Sequence, residues 1–427
     1  MDINRKTAYE VLYAVECKKQ YSNIALNNFI EKEQPDSQGF VRELVYGVLE
    51  NKILLDFYIS KFIKGRIKDV RRQDLVILRM GIYQIKYMDS VPSYAAVDQC
   101  VKLGKKFAKG RDKFINGVLR SFLRDGEKIM LAPKEEDPVK YLSVKYSYEK
   151  WIVNMWLERF DFDFVEELLI SENQRPPVTI RVNLMKNTRE VLKKDLESLG
   201  YQVELCQLAK TGLYVKGERL LDTELYKNGC FSVQDEASQM VAIILEPKEG
   251  QVVLDLCAAP GGKTLSAAEA MNNTGQVISH DIYENKVQGI SRQARRLGLT
   301  NVSTCVFDGT KLRSEFKGKC QRVIADVPCS GLGVIRRKPE IKYNKNYQEV
   351  MELPKLQLSI LENAKEYLDE NGRLIYSTCT INKAENENVV EAFIENNPGF
   401  KIVWSHEFLP NVDGTDGFYI CAIEREV

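Results

Sequence analysis

Histidine is almost missing from this chain: His280 and His406 are the only two among 427 residues. That scarcity argues against a histidine-built metal site and against a histidine-assisted nucleophile. The ten cysteines are scattered and none forms a C-x-x-C pair, so zinc ribbons and thioredoxin-like motifs are unsupported. No apolar run approaches the length that crosses a bilayer. The opening Met1-Asp2-Ile3-Asn4-Arg5-Lys6 has no apolar stretch behind it, so no secretory signal is expected. Internal repeats and low-complexity tracts are missing too. These absences point to a cytoplasmic protein with no membrane segment and no metal, whose reduced thiols are free to act chemically.

What is present is ordinary in bulk and uneven in distribution. Apolar residues make up 44% and charged residues 28%, the balance of a soluble globular protein. The length implies two or three domains. Residues 1–126 hold 23 Lys+Arg against 15 Asp+Glu, a balance of +8, and the remainder holds 38 against 45, or −7. A basic part joined to an acidic part suggests a nucleic-acid-binding module attached to something else.

Residues 1–126 read as all helix. Ala8, Val11, Leu12 and Val15 recur at helical spacing, as do Val41, Leu44, Val45, Val48 and Leu49. Asp74 is placed to open a helix through Ile85, and Pro92 marks a break. Two basic clusters stand out: Lys61, Lys64, Arg66, Lys68, Arg71 and Arg72, then Lys102, Lys105, Lys106, Lys109, Arg111 and Lys113. A single such cluster is usually a solvated helix face. Two of them on the +8 region favour phosphate contact, with Lys105, Lys106 and Lys109 expected on one face. Residues 127–150 read as a linker rich in turn formers. Residues 151–235 read as a small α/β domain: a helix from Trp151, a strand at Val178–Val182, a helix capped by Thr188 and strands near 201–205 and 213–215. From 236 to 427 strands and helices alternate, with strands expected near 252–256, 276–281, 302–306, 322–326, 372–377 and 417–423. That alternation is a doubly wound sheet.

The cofactor site is expected where the first of those strands runs into a tight turn and a helix: Val252-Val253-Leu254-Asp255-Leu256-Cys257-Ala258-Ala259-Pro260-Gly261-Gly262-Lys263-Thr264. Gly261 and Gly262 let the backbone approach a ligand closely. A phosphate loop would need glycine at the position of Cys257, and no Gly-x-Gly-x-x-Gly fingerprint is present. Asp281 ends the second strand, where a carboxylate accepts from ribose hydroxyls. Asp308 ends the third, where a carboxylate receives an adenine amino group. A nucleotide site with ribose and adenine contacts and no phosphate anchor suits S-adenosylmethionine.

Two cysteines lie far downstream: Cys329 in Asp326-Val327-Pro328-Cys329-Ser330-Gly331 and Cys379 in Ser377-Thr378-Cys379-Thr380. A free cysteine usually packs as a small apolar group. These two follow expected strands beside the cofactor edge, which favours chemistry. Cys257 is assigned to backbone contact in the cofactor loop. Cys17, Cys100, Cys206, Cys230, Cys305, Cys320 and Cys421 are assigned to packing or surface. Arg336, Arg337 and Lys338 are candidates to hold flanking phosphates.

Those three motifs, in that order, resemble the RNA cytosine-C5 methyltransferases of the Nop2/Sun family over residues 178–423. The helical N-terminus resembles a NusB-like RNA-binding domain, and the whole arrangement is similar to the Sun/Fmu type of bacterial small-subunit rRNA methyltransferases. The resemblance implies three parts: an all-α NusB-like bundle, a small α/β RRM-like domain and a class I Rossmann-like methyltransferase domain. It implies S-adenosylmethionine held by Cys257, Ala258, Ala259, Pro260, Gly261, Gly262, Lys263, Asp281, Asp308 and Asp326. It also implies small-subunit rRNA as partner and a monomeric enzyme.

The chemistry explains two thiols. Carbon 5 of cytosine is a poor nucleophile, and a thiolate adding to carbon 6 pushes electron density onto it. The adduct must then lose the carbon-5 proton and expel the thiol. The resemblance implies Cys379 as nucleophile and Cys329 as the product-release residue. Asp326, one strand end away from Cys329, is placed to hydrogen-bond the base at N3/N4 and favour addition, and Lys263 is a candidate positive charge favouring thiolate. In DNA cytosine methyltransferases the Pro-Cys cysteine is the nucleophile, so Cys329 stands as the alternative. A tRNA methyltransferase, or a non-catalytic assembly factor that keeps the fold, remains open at this point.

Overall fold

Asp2 opens the first helix, Ile3–Lys18, by accepting the Arg5 backbone N–H at 2.7 Å. Six more helices follow to Asp125, among them Gln38–Glu50, Lys52–Ser60, Arg72–Tyr87, Ser93–Phe107 and Asp112–Asp125. Their spacing explains their packing: Ile115, Val118, Leu119 and Phe122 form one buried face of the last of these. The computed structural model describes residues 1–426, and 1–126 are all helical, as expected. A buried ion cluster braces the bundle, with Arg79 donating to Asp56 at 2.7 Å and to Glu16.

Two local expectations shift. Helix Arg72–Tyr87 starts two residues before Asp74, whose fully buried carboxylate takes ion pairs from Arg71 at 3.3 Å and Arg111 at 2.9 Å. Two members of the basic clusters, both partly exposed, therefore also pair with a buried acid of the bundle. Helix Ser93–Phe107 stops before Lys109, so Lys109 does not share a face with Lys105 and Lys106.

Residues 127–150 contain a helix, Pro138–Tyr146, opened by Asp137 and followed by Lys150–Leu157 and Phe162–Glu172. Leu54 N–H donates to Ser147 Oγ at 3.0 Å, and Tyr148 packs at a tilt against Trp156 with both buried. These helices therefore join the N-terminal bundle. The unit they complete comprises Met1–Gln174 and a returning segment, Ile335–Tyr347. Within it Lys342, fully buried, donates to the carbonyls of Glu50 and Tyr146 and to Asn173 Oδ1. Burial lowers its amine to about 7. Tyr343 OH donates to the Leu49 and Ser147 carbonyls at 2.8 and 3.0 Å.

The second unit comprises Arg175–Val334 and the chain from Gln348. Its first part is a four-stranded antiparallel sheet of β1 (Val178–Val182), β2 (Gln202–Leu205), β3 (Gly212–Lys216) and β4 (Phe231–Val233), in order β2-β3-β1-β4. Helix Arg189–Ser198, capped by Thr188, buries Leu192 and Leu196 against it. The strand β4 was not legible because it has only three residues, FSV.

The larger sheet holds β5 (Val252–Asp255), β6 (Gln276–Asp281), β7 (Val302–Val306), β8 (Cys320–Asp326), β9 (Leu368–Thr378), β10 (Phe400–Phe408) and β11 (Phe418–Arg425). The order is β10-β11-β9-β8-β5-β6-β7, with β5 to β9 parallel and β10 and β11 antiparallel. All six expected strands form. The unexpected β10 is a mostly exposed edge strand without an apolar alternation to announce it. The chain runs outward from β5 through β6 and β7, then restarts at β8 on the other side of β5. That reversal is the switch point where such sheets bind ligands, beyond the carboxyl ends of the strands.

Candidate active site

Asp255, the last residue of β5, is fully buried, and its Oδ2 accepts Thr264 Oγ–H at 2.6 Å. This bond ties the strand end to the first turn of helix Gly262–Ala270. Burial raises the Asp255 carboxyl to about 7, and the Asp326 charge pushes the same way. Between them the backbone turns at Gly261 with φ +104°, and a Cβ there would stand 3.0 Å from Ile290 Cγ1. Ala258 N–H donates to the His280 carbonyl at 2.8 Å, and Ala259 N–H reaches Asp281 Oδ2 at 3.3 Å. Asp281 Oδ1 accepts from Tyr283 N–H at 3.0 Å. The loop of Cys257, Ala258, Ala259 and Pro260 is thus fastened to the end of β6.

Asp308 lies two residues beyond β7 rather than at its end. Its Oδ1 accepts the Thr310 N–H and Oγ–H, which hold the carboxyl below its ordinary value. Cys257 registers how closely these acids gather. Burial raises its thiol, and Asp255, Asp326, Asp281 and Asp308 all push it further. A thiol held protonated is no nucleophile, in keeping with a backbone role. Four carboxylates around one loop favour a cation. S-adenosylmethionine carries positive charge on its sulfonium and its amino group, so the residues present fit it.

The thiols stand on the neighbouring strand ends. Cys379 follows β9 directly and Cys329 lies three residues beyond β8. Their Sγ atoms are 3.3 Å apart. Asp326 ends β8 with Oδ1 accepting Ser377 Oγ–H at 2.7 Å and Oδ2 paired to Lys263 Nζ at 2.8 Å. For Lys263, burial works to lower the amine, but Asp326 and the charge of Cys379 outweigh it and the ammonium is held. By reciprocity that ammonium favours thiolate at Cys379. Cys329 is the opposite case. Its hydrogen bond to Cys379 raises it well above the ordinary thiol value, and burial and the charges of Cys379, Glu385 and Asp326 add to this. In this contact the proton is therefore favoured on Cys329 over Cys379.

The residues expected from sequence for cofactor and catalysis come together on one edge of one sheet. Arg336, Arg337 and Lys338 do not belong to this unit; they lie in the segment that folds with the helical unit, where Arg336 N–H donates to Glu172. Three supports were not anticipated. Arg181 on β1 forms a two-pronged pair with Glu269 at 2.8 and 3.0 Å and donates to the Gly262 carbonyl at 3.0 Å. Gly333 donates to the Cys379 carbonyl, and a Cβ on it would lie 1.9 Å from the Gly417 carbonyl oxygen. Glu385 is buried between the two cysteine loops. The polar run Asn382, Glu385, Asn386 just before the apolar Val389 and Val390 was the available signal. Among the described residues no group of His, Cys, Asp and Glu could hold a metal ion, and no helix is long and apolar enough to cross a membrane.

Residues 242–424 match the family model for 16S rRNA methyltransferase RsmB/F, residues 2–124 the NusB family, and residues 148–221 an RsmF/B-like ferredoxin-like domain. The chain is 37% identical over 443 residues to the probable ribosomal RNA small subunit methyltransferase B of Bacillus subtilis, covering 99% of this chain and 98% of that protein. It is 30% identical over 432 residues to ribosomal RNA small subunit methyltransferase B of Pseudomonas putida, covering 97% of each. Among solved structures, NSun6 from Pyrococcus horikoshii with SFG matches with TM-score 0.58 at 22% identity, covering 64% of this chain and 97% of that one.

Proposed function

This chain belongs to the ribosomal RNA small subunit methyltransferase B family, and from that membership we propose that it methylates carbon 5 of a cytosine in 16S rRNA through two thiols. The observation that carries the mechanism is the 3.3 Å contact between Cys329 and Cys379, with Lys263 and Asp326 paired beside it. Bound S-adenosylmethionine supplies the electrophilic methyl group. Cys257, Ala258, Ala259, Pro260, Gly261 and Gly262 form its backbone cradle, and Asp281 and Asp308 offer carboxylates to its ribose and adenine.

Cys379 attacks as thiolate, favoured by Lys263, and its sulfur bonds carbon 6 of the cytosine. Asp326 hydrogen-bonds the base at N3/N4, which favours the addition. Carbon 5 would then take the methyl, whose bond to the sulfonium sulfur breaks to leave a neutral thioether product. Once Cys379 is bonded to carbon it no longer accepts a hydrogen bond or carries charge, so the largest cause holding the proton on Cys329 is gone. Cys329 then gives up its own proton to solvent and its thiolate takes the carbon-5 proton; the electrons of that C–H bond reform the carbon 5–carbon 6 double bond, and the bond from carbon 6 to sulfur breaks to release Cys379 as thiolate. The target base must leave its stack to reach both thiols. The helical unit, with exposed Lys61, Lys64, Lys105, Lys106 and Lys109, is assigned to phosphate contact.

The domains follow as a helical RNA-binding unit, a small antiparallel-sheet domain and the methyltransferase sheet, acting as a cytoplasmic monomer. The test is methyl transfer from labelled S-adenosylmethionine to deproteinised small-subunit rRNA, large-subunit rRNA and bulk tRNA. Label in 5-methylcytosine of small-subunit rRNA alone is expected. Label on tRNA would keep the chemistry and discard the substrate.

A further inference from the structure

Two thiols that serve adjacent ring atoms need a fixed spacing, and their loops leave β8 and β9 separately. Between the loops sits Glu385, fully buried. Its Oε2 accepts Ser330 N–H at 2.8 Å and Gln357 Nε2 at 2.9 Å. Its Oε1 accepts Ser330 Oγ–H at 2.5 Å and Asn382 Nδ2 at 2.8 Å. Gln357 Nε2 also donates to the Pro328 carbonyl at 3.0 Å. Both neighbours of Cys329, Pro328 and Ser330, are therefore held by this cluster.

The link to the other cysteine has a direction. Ser330 Oγ and Thr380 Oγ1 are 2.6 Å apart. Ser330 gives its only hydroxyl proton to the carboxylate, so Thr380 is the donor in that contact. The chain of donation runs from Thr380, next to Cys379, through Ser330, next to Cys329, to Glu385.

We infer that Glu385 is a positioning residue that sets the spacing of the two reactive sulfurs, with Ser330 as the bridge. This rests on the two-thiol reading proposed above. The named donors to the carboxylate are all neutral, and two of them face each oxygen. An amide at this position would turn an N–H toward donors, so the bridge needs a carboxylate rather than a polar group of the same shape. The Glu385 charge also belongs to the set that keeps the proton on Cys329.

The experiment compares wild type, Glu385→Gln, Ser330→Ala and the double variant on small-subunit rRNA with S-adenosylmethionine. It reads kcat, KM for both substrates, and covalent protein–RNA adduct on denaturing gels. Misplacing one sulfur should lower kcat about 10²-fold in Glu385→Gln and about 10-fold in Ser330→Ala, with both KM values nearly unchanged. Adduct should persist in both, because the cluster grips the Cys329 side. The double variant should be no slower than Glu385→Gln, since the two residues act as one unit. Losses that multiply, or KM changes without kcat changes, would overturn the inference. If Glu385→Gln does not fold, Ser330→Ala decides alone, and full turnover by it overturns the inference. A wild type that methylates no cytosine strikes the two-thiol reading itself, and this inference with it.

Discussion

The cofactor rim on β5 and β6 and the thiol rim on β8 and β9 share one sheet edge and are built in opposite ways. The cofactor rim is local. Asp255, Gly261, Gly262 and Thr264 lie within ten residues, held by the Thr264–Asp255 bond, two loop amides and one left-handed turn. The thiol rim is assembled across sequence. Cys329 and Cys379 are 50 positions apart, and Ser330 and Glu385 are 55 apart. A site that cradles a ligand with its main chain fits in one motif. A site that must space two side-chain atoms needs partners drawn from several loops.

The sharpest break comes from the proposed nucleophile. Cys379→Ala should abolish methyl transfer, by at least about a thousandfold in kcat, and should form no adduct with RNA. Cys329→Ala should turn over slowly and accumulate the protein–RNA adduct on denaturing gels. The opposite pattern, adduct in Cys379→Ala and none in Cys329→Ala, would hand the nucleophile role to the Pro-Cys thiol. Next comes Lys263→Met. It should lower kcat about 10²-fold at neutral pH, because the Cys379 thiolate loses its neighbouring ammonium. The acid side of its pH–rate profile should move to higher pH, so that part of the rate returns in alkali.

Predictions on the other rim are smaller and of another kind. Gly261→Ala forces a Cβ onto a backbone at φ +104° beside Ile290. It should cost on the order of 1 kcal/mol and raise KM for S-adenosylmethionine about tenfold, with no adduct. Asp255→Asn tests a buried acid raised from 3.8 to about 7. Between those values the folded chain holds a proton that the unfolded chain has lost, so this group reduces stability as pH rises toward 7. The variant should therefore gain in melting temperature over wild type as pH goes from 5 to 8. A gap independent of pH would show that Asp255 is not the group responsible.

That contrast also explains what was legible in the sequence. The cofactor loop was readable because its turn demands glycine at Gly261 and its strand and helix carry clear periodicity. The cysteines were readable through their neighbours, Pro328 and Thr378, and the family resemblance they carry. Glu385 and Arg181 were not, because a charge that folding buries looks the same in sequence as one on the surface. The same blindness affected Asp74, which reads as a helix opener but is the acceptor for Arg71 and Arg111. The helix Pro138–Tyr146 was hidden among turn formers, since Asp137 and Pro138 mark a loop and a helix start equally well.

The returning segment Ile335–Tyr347 has a consequence for how such a protein can be inherited or re-engineered. Tyr343 and the amine of Lys342 are satisfied by residues near 50, 146 and 173, so the helical unit is written in two separate passages of the gene. A transplant of residues 1–174 from a relative would import sockets without their plug. To exchange the unit as a cassette, the thirteen-residue passage from Ile335 to Tyr347 has to travel with it.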